Sequence, residues 1–394
     1  MNSAIYLNHL GVVSALGRDQ AQVRRALFDT TAQGVAPNDR VYAGRSLYLG
    51  AVLGPLVSLE GVAREHQSRN NALLLTALAQ IRPPVDAAIA RYGAGRIGII
   101  LGTSTSGIAE SERAIAVELA SGALPPAFHI SQQELGDPAL FLSERLRTHG
   151  PAMVISTACS SSAKALASAA RWLLSGRCDA VLCGGIDALS AFTVAGFDSL
   201  QSVSAERCNP MSLNRCGINI GEGGALFLMT REPGGARLAG WGESADAYHL
   251  SAPAPDGRGA LAAMRLALER AGLAPAQIDY INLHGTATIQ NDAMESLAVA
   301  TLFGLDCPVS STKPLTGHTL GGAGALDAAL CWLALTDNPQ GDLPPHWWDG
   351  VADPALPRLR LAEPGARLER PLDYVLSNSF AFGGSNASLI LARQ

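Results

Sequence analysis

The chain has 394 residues, too many for one hydrophobic core and enough for two domains or one large duplicated domain. Hydrophobic residues make up 48% and charged residues 16%, which excludes a disordered chain, and the net charge of −5 argues against nucleic acid as the main partner. The seven cysteines form no C-x-x-C pair, and no apolar run reaches the roughly 18 residues of a membrane span. We therefore expect a reduced, cytoplasmic, soluble protein that has no membrane partner.

Short runs rich in β-branched residues alternate with alanine- and leucine-rich stretches along the chain. The runs of the first kind predict buried strands at residues 96–104, 152–157, 179–185, 280–286, 308–312 and 374–379. The stretches of the second kind predict helices at residues 160–175, 258–272, 290–303 and 322–336, and an irregular segment follows at 339–371. This order indicates an α/β architecture in which helices cover the sheets.

Two distant segments of the sequence resemble each other. "VISTACSSSAKALASAARWLL" and "VSSTKPLTGHTLGGAGALDAALCWLAL" each run from a strand through Ser-Thr and a loop into an alanine-rich helix. Each is followed by a further strand with a small-residue turn, at 179–190 and 374–389. The repetition predicts two related halves, 1–233 and 234–394, whose equivalent strand ends lie close together and form a shared site.

Cys159 lies where a predicted strand gives way to a predicted helix, in the stretch "ISTACSSSAKAL". The partial positive charge of a helix N-terminus can lower the pKa of a thiol below its usual value of about 8.5, and the first N–H groups can bind an oxyanion. Free cysteine is also among the most buried residue types, so a purely structural thiol is the alternative.

Two histidines and a lysine occupy similar positions beside predicted strand ends. His284 ends a strand in "NLHGTATIQND", and His318 lies in the glycine-rich loop "STKPLTGHTLGGAG". Only apolar and small residues surround Lys313 in sequence, which favours a buried ion pair, with Asp292 or Glu295 as partners. A structural role is the alternative for each histidine, and a Schiff-base lysine or a surface charge is the alternative for Lys313. The loop lacks the residue order of a phosphate-binding loop.

Taken in chain order, these motifs resemble those of the β-ketoacyl-acyl carrier protein synthases, the condensing enzymes of the thiolase-like superfamily. The resemblance is carried by "TACSSS", "HGTAT", "KPLTGH" and "FAFGGSN", with further matches at 217–229 and 246–253. It covers nearly the whole chain and fades at about 30–95 and at 337–371. It implies a thiolase-like α/β fold in which two related halves form a layered α-β-α-β-α core.

The resemblance implies a decarboxylative Claisen condensation in two half-reactions. Cys159 would accept an acyl group from the phosphopantetheine arm of acyl carrier protein as a thioester, and the enolate formed from malonyl carrier protein would attack that thioester. His284 and His318 match the pair that hydrogen-bonds the enolate oxygen. The backbone N–H groups of Cys159 and Phe382 match a second oxyanion hole.

The resemblance also implies supporting roles for other residues. Lys313 and Glu295 match residues that orient the two histidines. The residues that match contacts to the pantetheine arm, the gate or the acyl pocket are Thr286, Thr288, Phe382 and Phe197. Arg64 and Arg69 are either docking charges for an acidic carrier protein or ordinary surface residues.

Several positions depart from the family pattern. The stretch "NPMSLNRCGIN" (209–219) lacks the acidic and aromatic residues that support the floor of the active site. Ile289 replaces a proline, Ala381 replaces a common glycine, and Gln201 replaces a basic docking residue. These changes bear on substrate choice more than on the reaction, and they favour a specialised pathway such as polyene or polyketide assembly over fatty-acid elongation.

The expected partner is acyl carrier protein, bound by a homodimer or by a heterodimer with a related chain. The chemistry needs no metal or organic cofactor. One alternative is a non-catalytic partner subunit that sets chain length, but such subunits usually lack the nucleophile. A thiolase is a further alternative, although thiolases use a second cysteine near the C-terminus, and neither Cys307 nor Cys331 lies in the glycine loop.

Overall fold

The computed structural model describes residues 4–31, 33–42 and 44–394; residues 1–3, 32 and 43 of the predicted first half lie outside this description. The helices are α1 (Gln20–Leu27), α2 (Arg69–Tyr92), α3 (Ile108–Ser121), α4 (Asp137–Leu146), α5 (Ser161–Leu174), α6 (Ala191–Ser199), α7 (Arg258–Ala271), α8 (Ile289–Phe303), α9 (Lys313–Thr316) and α10 (Ala323–Leu335). The strands are β1 (Tyr6–Val13), β2 (Ala36–Asn38), β3 (Leu47–Leu49), β4 (Ile97–Gly102), β5 (Ala152–Ile155), β6 (Ala180–Asp187), β7 (Gly223–Thr230), β8 (Ala236–Ala245), β9 (Tyr280–Asn282), β10 (Pro308–Ser310), β11 (Arg360–Leu361), β12 (Tyr374–Ala381) and β13 (Ser385–Ala392).

Eleven strands lie side by side in the order β11-β10-β9-β12-β13-β8-β1-β7-β6-β4-β5. β1 pairs with β8 at only two residue pairs, so two sheets meet at that point. From the outer edge to this junction, one set of strands runs β5-β4-β6-β7-β1 and the other runs β10-β9-β12-β13-β8. Numbered by their order along the chain within each set, both read third, second, fourth, fifth and first. The division of the chain into related halves at 233/234, in the turn between β7 and β8, stays a prediction.

Helices form three layers around the two sheets. α5 and α10 pack between the sheets and contact both of them. α2 and α4 cover the outer face of the sheet that contains β4, and α7 and α8 cover the outer face of the sheet that contains β9. Every residue of α10 is buried, which explains why this helix is apolar on all sides. The predicted α-β-α-β-α layering is therefore confirmed.

Helix α2 has the length and hydropathy of a membrane span, which the sequence analysis did not foresee. Half of its apolar window is buried in the structure, where the helix packs against β1 and β7. The core helix of a soluble protein can have the same length and hydropathy, so α2 gives only weak evidence for a membrane.

The two central helices begin close to each other. β5 leads through a short turn into α5, and β10 leads through a glycine-rich loop into α10. A Cβ atom at Gly324 would lie 2.7 Å from atoms of Ala163, so a glycine permits this close approach. The Ala325 N–H also donates a hydrogen bond to Ser162 Oγ at 2.8 Å. The loops before the two helices consequently face one cavity.

Candidate active site

A tight turn between β5 and α5 presents Cys159. Ala158 has a left-handed backbone with φ of 49°, which turns the chain sharply before the thiol. Ser161 Oγ accepts a hydrogen bond from the Thr157 N–H at 2.8 Å and donates one to the Ala158 carbonyl at 2.5 Å. These contacts fix the thiol immediately before the first turn of α5, close to the helix start that the sequence predicts.

The structure brings the cysteine and the two predicted histidines together. His318 Nε2 lies 2.9 Å from Cys159 Sγ, and the ring centroids of His284 and His318 are 5.2 Å apart at an interplanar angle of 82°. None of the three residues is more than 5% exposed. Their ligand atoms lie within 4.8 Å of one another, which is also the spacing of a metal site. Our expectation that the chemistry needs no metal stays a prediction.

Burial dominates the ionisation of the Cys159 thiol. It raises the pKa to about 12, while the Lys313 ammonium and the backbone N–H groups of Phe382 and Cys159 lower the pKa without offsetting burial. The lowering that a helix N-terminus can produce is therefore outweighed by burial in the resting site. The thiol is protonated at neutral pH, and His318 Nε2 lies within reach of its proton.

The rate at which iodoacetamide alkylates Cys159 is expected to rise about tenfold per pH unit between pH 7 and 10, because the thiolate is the reacting form. Below a pKa of about 12 the thiolate fraction grows steadily with pH. An unperturbed thiol would level off above a pH of about 8.5. Quantifying the alkylated Cys159 peptide at early times gives the rate. A rate that has already levelled off at pH 7 would contradict this prediction and indicate a thiolate–imidazolium pair.

Both histidines are neutral at physiological pH. Burial lowers the pKa of His284 and of His318 well below the usual value, and the nearby Lys313 ammonium lowers both further. A neutral imidazole carries one N–H donor. The pair can therefore supply two hydrogen bonds to a single oxygen that gains negative charge between them.

Lys313 is buried, as the sequence predicts, but its partner is a different carboxylate. Lys313 Nζ lies 3.1 Å from Asp327 Oδ2, and both side chains are at most 3% exposed. Asp292 instead accepts hydrogen bonds from the backbone N–H groups of Met211 and Ala287. The predicted pairing of Lys313 with Asp292 or Glu295 is wrong, because α10 brings Asp327 to the lysine from the facing layer.

Replacing Lys313 with methionine is expected to lower the free energy of unfolding by about 3–5 kcal/mol, because it leaves the Asp327 carboxylate buried without a partner. The double variant Lys313→Met/Asp327→Leu should recover most of that loss, since it removes the unpaired charge as well. Denaturant unfolding of both variants measures the difference. A double variant that is as unstable as the single one would contradict this account.

Glu295 binds the loop of His284 through its backbone. The carboxylate accepts hydrogen bonds from the N–H groups of His284 at 2.8 Å and Gly285 at 2.7 Å. Asn378 and Asn291 donate to it as well. Burial raises the pKa of Glu295 to about 7, although the two backbone N–H groups lower it. The Glu295 carboxylate thus fixes the main chain of His284 and makes no ion pair with Lys313.

The remaining cavity residues lie where the resemblance places the substrate. Phe197 and Phe382 line the cavity with their rings 5.5 Å apart, and Ile218 and Phe380 add apolar surface. The hydroxyl oxygens of Thr286 and Thr288 are 3.0 Å apart and lie at the same cavity. The site therefore combines an apolar wall with hydroxyl groups beside the thiol, and the roles of these residues stay predictions.

The two predicted docking arginines differ in their surroundings. Arg64 is exposed and donates one hydrogen bond to the Pro126 carbonyl at 2.9 Å. Arg69 donates from Nε to Glu222 Oε2 at 2.7 Å, and that glutamate side chain is 1% exposed. The charge of Arg69 is thus balanced within the protein, which leaves Arg64 as the freer of the two cations.

Sequence reasoning missed three polar residues that support the site. Asp327 neutralises Lys313, and the Asn219 carbonyl accepts a hydrogen bond from the His318 N–H at 2.6 Å. Asp187 is fully buried and accepts hydrogen bonds from Thr105 and from the Gly321 N–H. Asp327 could have been found, because it is the one acidic residue in an otherwise apolar helix.

Two family models match the chain. The model of the β-ketoacyl synthase N-terminal domain covers residues 86–233, and that of the β-ketoacyl synthase C-terminal domain covers residues 235–346. A 3-oxoacyl-[acyl-carrier-protein] synthase 2 from Rhizobium meliloti is 36% identical over 64% of this chain and 63% of its own length. The synthase of the same name from Synechocystis is 33% identical over 76% of each chain.

A solved structure is similar over the full chain. It is the ketosynthase ApeO in complex with its chain length factor ApeC from Xenorhabdus doucetiae, matched with 46% identity and a TM-score of 0.94 over 100% of this chain and 98% of that one. The chain belongs to the β-ketoacyl synthase family, with the thiolase-like fold that its motifs predict. It is a ketosynthase of the fatty-acid or polyketide type, and the proximity of Cys159, His284 and His318 is consistent with a Cys-His-His site.

Proposed function

We propose that this chain is a catalytic β-ketoacyl-acyl carrier protein synthase, which condenses malonyl carrier protein with an acyl group held on Cys159. One observation carries the proposal: Cys159, His284 and His318 lie together in a single cavity with an apolar wall. A subunit without catalysis has no need for a thiol, two neutral imidazoles and a buried lysine around the same point.

In the first half-reaction, the Cys159 sulfur attacks the thioester carbon of acyl carrier protein. The thiol proton passes to His318 Nε2, which lies 2.9 Å away, and then to the departing pantetheine sulfur. The backbone N–H groups of Cys159 and Phe382, which face the sulfur, hold the negatively charged oxygen of the tetrahedral intermediate. The product is an acyl thioester on Cys159 and a free carrier thiol.

In the second half-reaction, malonyl carrier protein loses carbon dioxide, and the electron pair of the broken C–C bond forms an enolate. His284 donates one hydrogen bond to the enolate oxygen, and His318 donates a second from Nε2 after its single ring proton has exchanged from Nδ1 to Nε2 through solvent between the two half-reactions. The oxygen becomes charged only on the way to the transition state. The enolate carbon attacks the acyl thioester, the bond to Cys159 breaks, and the thiolate takes a proton from solvent. Lys313, paired with Asp327, and Glu295 orient the histidine loops.

A chain-length-determining partner subunit is the second candidate. The similarity to a chain of a ketosynthase–chain length factor complex favours it. The complete set of Cys159 and two histidines in one cavity favours the catalytic role instead.

An exposed sheet edge supports a dimer, either of two copies or with a related chain. β5 ends the sheet order and has no further strand outside it among the described residues. Met153 on β5 is 44% exposed, and Ile115, Val117 and Leu119 on α3 are exposed apolar residues. A partner strand would cover an edge that is otherwise open to non-specific strand pairing.

The exposed Arg64 would contact an acidic carrier protein. We also expect a cytoplasmic location.

The purified chain, incubated with an acyl carrier protein thioester and malonyl carrier protein, tests the proposal. We expect 3-oxoacyl carrier protein and carbon dioxide in equal amounts from the chain alone. If the chain forms no product alone and only alters product length when a related ketosynthase is added, the partner-subunit role is correct and the proposal fails.

A further inference from the structure

The irregular segment 339–371 contributes a buried histidine behind the active site. His346 is 1% exposed, and both of its ring nitrogens are within hydrogen-bond distance of backbone groups. Nδ1 accepts from the Ser311 N–H at 3.0 Å, and Nε2 lies 3.0 Å from the Pro210 carbonyl. Because the first partner can only donate and the second can only accept, the ring is neutral, with its proton on Nε2.

Ser311 connects His346 to the loops of His284 and Lys313. Its Oγ donates a hydrogen bond to the Gly285 carbonyl at 2.6 Å and accepts one from the Lys313 N–H at 3.3 Å. Gly285 has a φ of 41°, and a Cβ there would lie 2.5 Å from Ser311 Cβ. The two loops are therefore in close contact, and a shift of Ser311 moves the residue next to His284.

Pro210 belongs to the segment 209–219, which also makes hydrogen bonds to these loops. The Met211 N–H donates to Asp292 at 2.8 Å, and the Gly217 N–H donates to the Ala287 carbonyl at 2.9 Å. At the far end of this segment, the Asn219 carbonyl accepts from the His318 N–H. The segment therefore contacts the backbone of both histidine loops.

We propose that His346 is a positioning residue for the condensation step: its ring joins the Ser311 loop to the segment 209–219 and so fixes the distance between His284 and His318. The inference rests on the proposed function for its kinetic consequence. The ring uses both nitrogens in this role, Nδ1 as an acceptor and Nε2 as a donor. Burial lowers the pKa of His346 to about 4, so the neutral form that the two hydrogen bonds require persists at physiological pH.

Removing the ring leaves a buried N–H group and a buried carbonyl group unpaired, so both loops relax. Enolate stabilisation depends on both histidines and on their spacing, whereas acylation uses the turn before α5 and His318, and Ser311 contacts the loop of His284 instead. We expect His346→Ala to lower kcat of condensation about 100-fold, with KM and the rate of Cys159 acylation changed less than about threefold. His346→Asn can still accept from Ser311, so it should regain most of the lost kcat.

The experiment compares His346→Ala and His346→Asn with His149→Ala, since His149 is exposed and far from the loops in sequence. It measures kcat, KM, the acylation rate and backbone hydrogen exchange at 284–288. We expect faster exchange at 284–288 in His346→Ala and wild-type values in the control. If His346→Ala does not fold, His346→Asn and His346→Gln decide, because each keeps one of the two hydrogen bonds.

Three results would overturn the inference: wild-type kcat in His346→Ala, an equal loss of acylation and condensation, or no recovery in either amide variant. Hydrogen exchange separates this inference from the proposed function. If the wild-type chain does not condense, the proposed function fails, and unchanged exchange at 284–288 in the variants would refute the role of His346 as well.

Discussion

Replacing Cys159 with alanine is expected to abolish the acyl adduct and to lower condensation by on the order of 10⁵- to 10⁶-fold, as removal of a covalent nucleophile does elsewhere. The physical reason is that no other nucleophile in the cavity can form the thioester intermediate. The fold should survive, because alanine fits the space of the thiol and leaves the bonds of Ser161 to the turn in place. Intact-mass measurement after incubation with acyl carrier protein shows the adduct.

Cys216→Ala is the matched control for this variant. Cys216 is the exposed cysteine among the seven, so it is the thiol most open to accidental acylation. The control should keep the full adduct and full turnover. Normal turnover by Cys159→Ala, or loss of the adduct in Cys216→Ala, would contradict the assignment of the nucleophile.

Replacing His284 with alanine is expected to slow decarboxylation of malonyl carrier protein by about 10²- to 10³-fold, the effect of losing one oxyanion donor worth about 3–4 kcal/mol. His318 is the residue within 2.9 Å of the thiol, so acylation of Cys159 should survive in His284→Ala. Release of carbon dioxide measures the first quantity, and adduct mass measures the second.

The exposed His149 provides the control, since His149→Ala should match the wild type in both measurements. If His284→Ala releases carbon dioxide at the wild-type rate, the histidine pair does not stabilise the enolate. If acylation falls as far as decarboxylation, His284 acts on the thiol, and the division of labour between the two histidines is wrong.

The local sequence was sufficient to predict most elements near the site. The runs at 96–104 and 179–185 form β4 and β6, and the stretches at 160–175 and 322–336 form α5 and α10. These segments are buried on most sides, so they consist mainly of apolar and small residues, which makes them recognisable in the sequence. The order of the motifs then located Cys159, His284 and His318 at the ends of equivalent connections.

Contacts between distant segments could not be predicted in the same way. The ion pair of Lys313 with Asp327 joins the first residue of α9 to α10, whereas the spacing along α8 pointed to Asp292 and Glu295 instead. The pKa of Cys159 likewise depends on burial by several layers, which the position at a helix N-terminus does not report. Both features depend on charge and burial that are set by residues remote in sequence.

The departures at 209–219 show the same dependence on distant residues. Ser212 Oγ donates a hydrogen bond to Asp349 at 2.8 Å, and Arg215 Nη1 pairs with Asp353 at 2.5 Å. The segment 339–371 therefore supplies acidic partners that the segment 209–219 lacks. The segment 209–219 is thus held by acidic residues of a distant segment, which the sequence motif alone does not reveal.

A single-turnover chase tests the central claim most directly. The chain is loaded with an acyl group from its carrier protein, freed of excess carrier, and mixed with malonyl carrier protein while the mass of the Cys159 peptide is followed. The account predicts that the acyl mass leaves Cys159 as an equal amount of 3-oxoacyl carrier protein appears. An adduct that persists after malonyl carrier protein is added, or that is lost only as free acid, would contradict it.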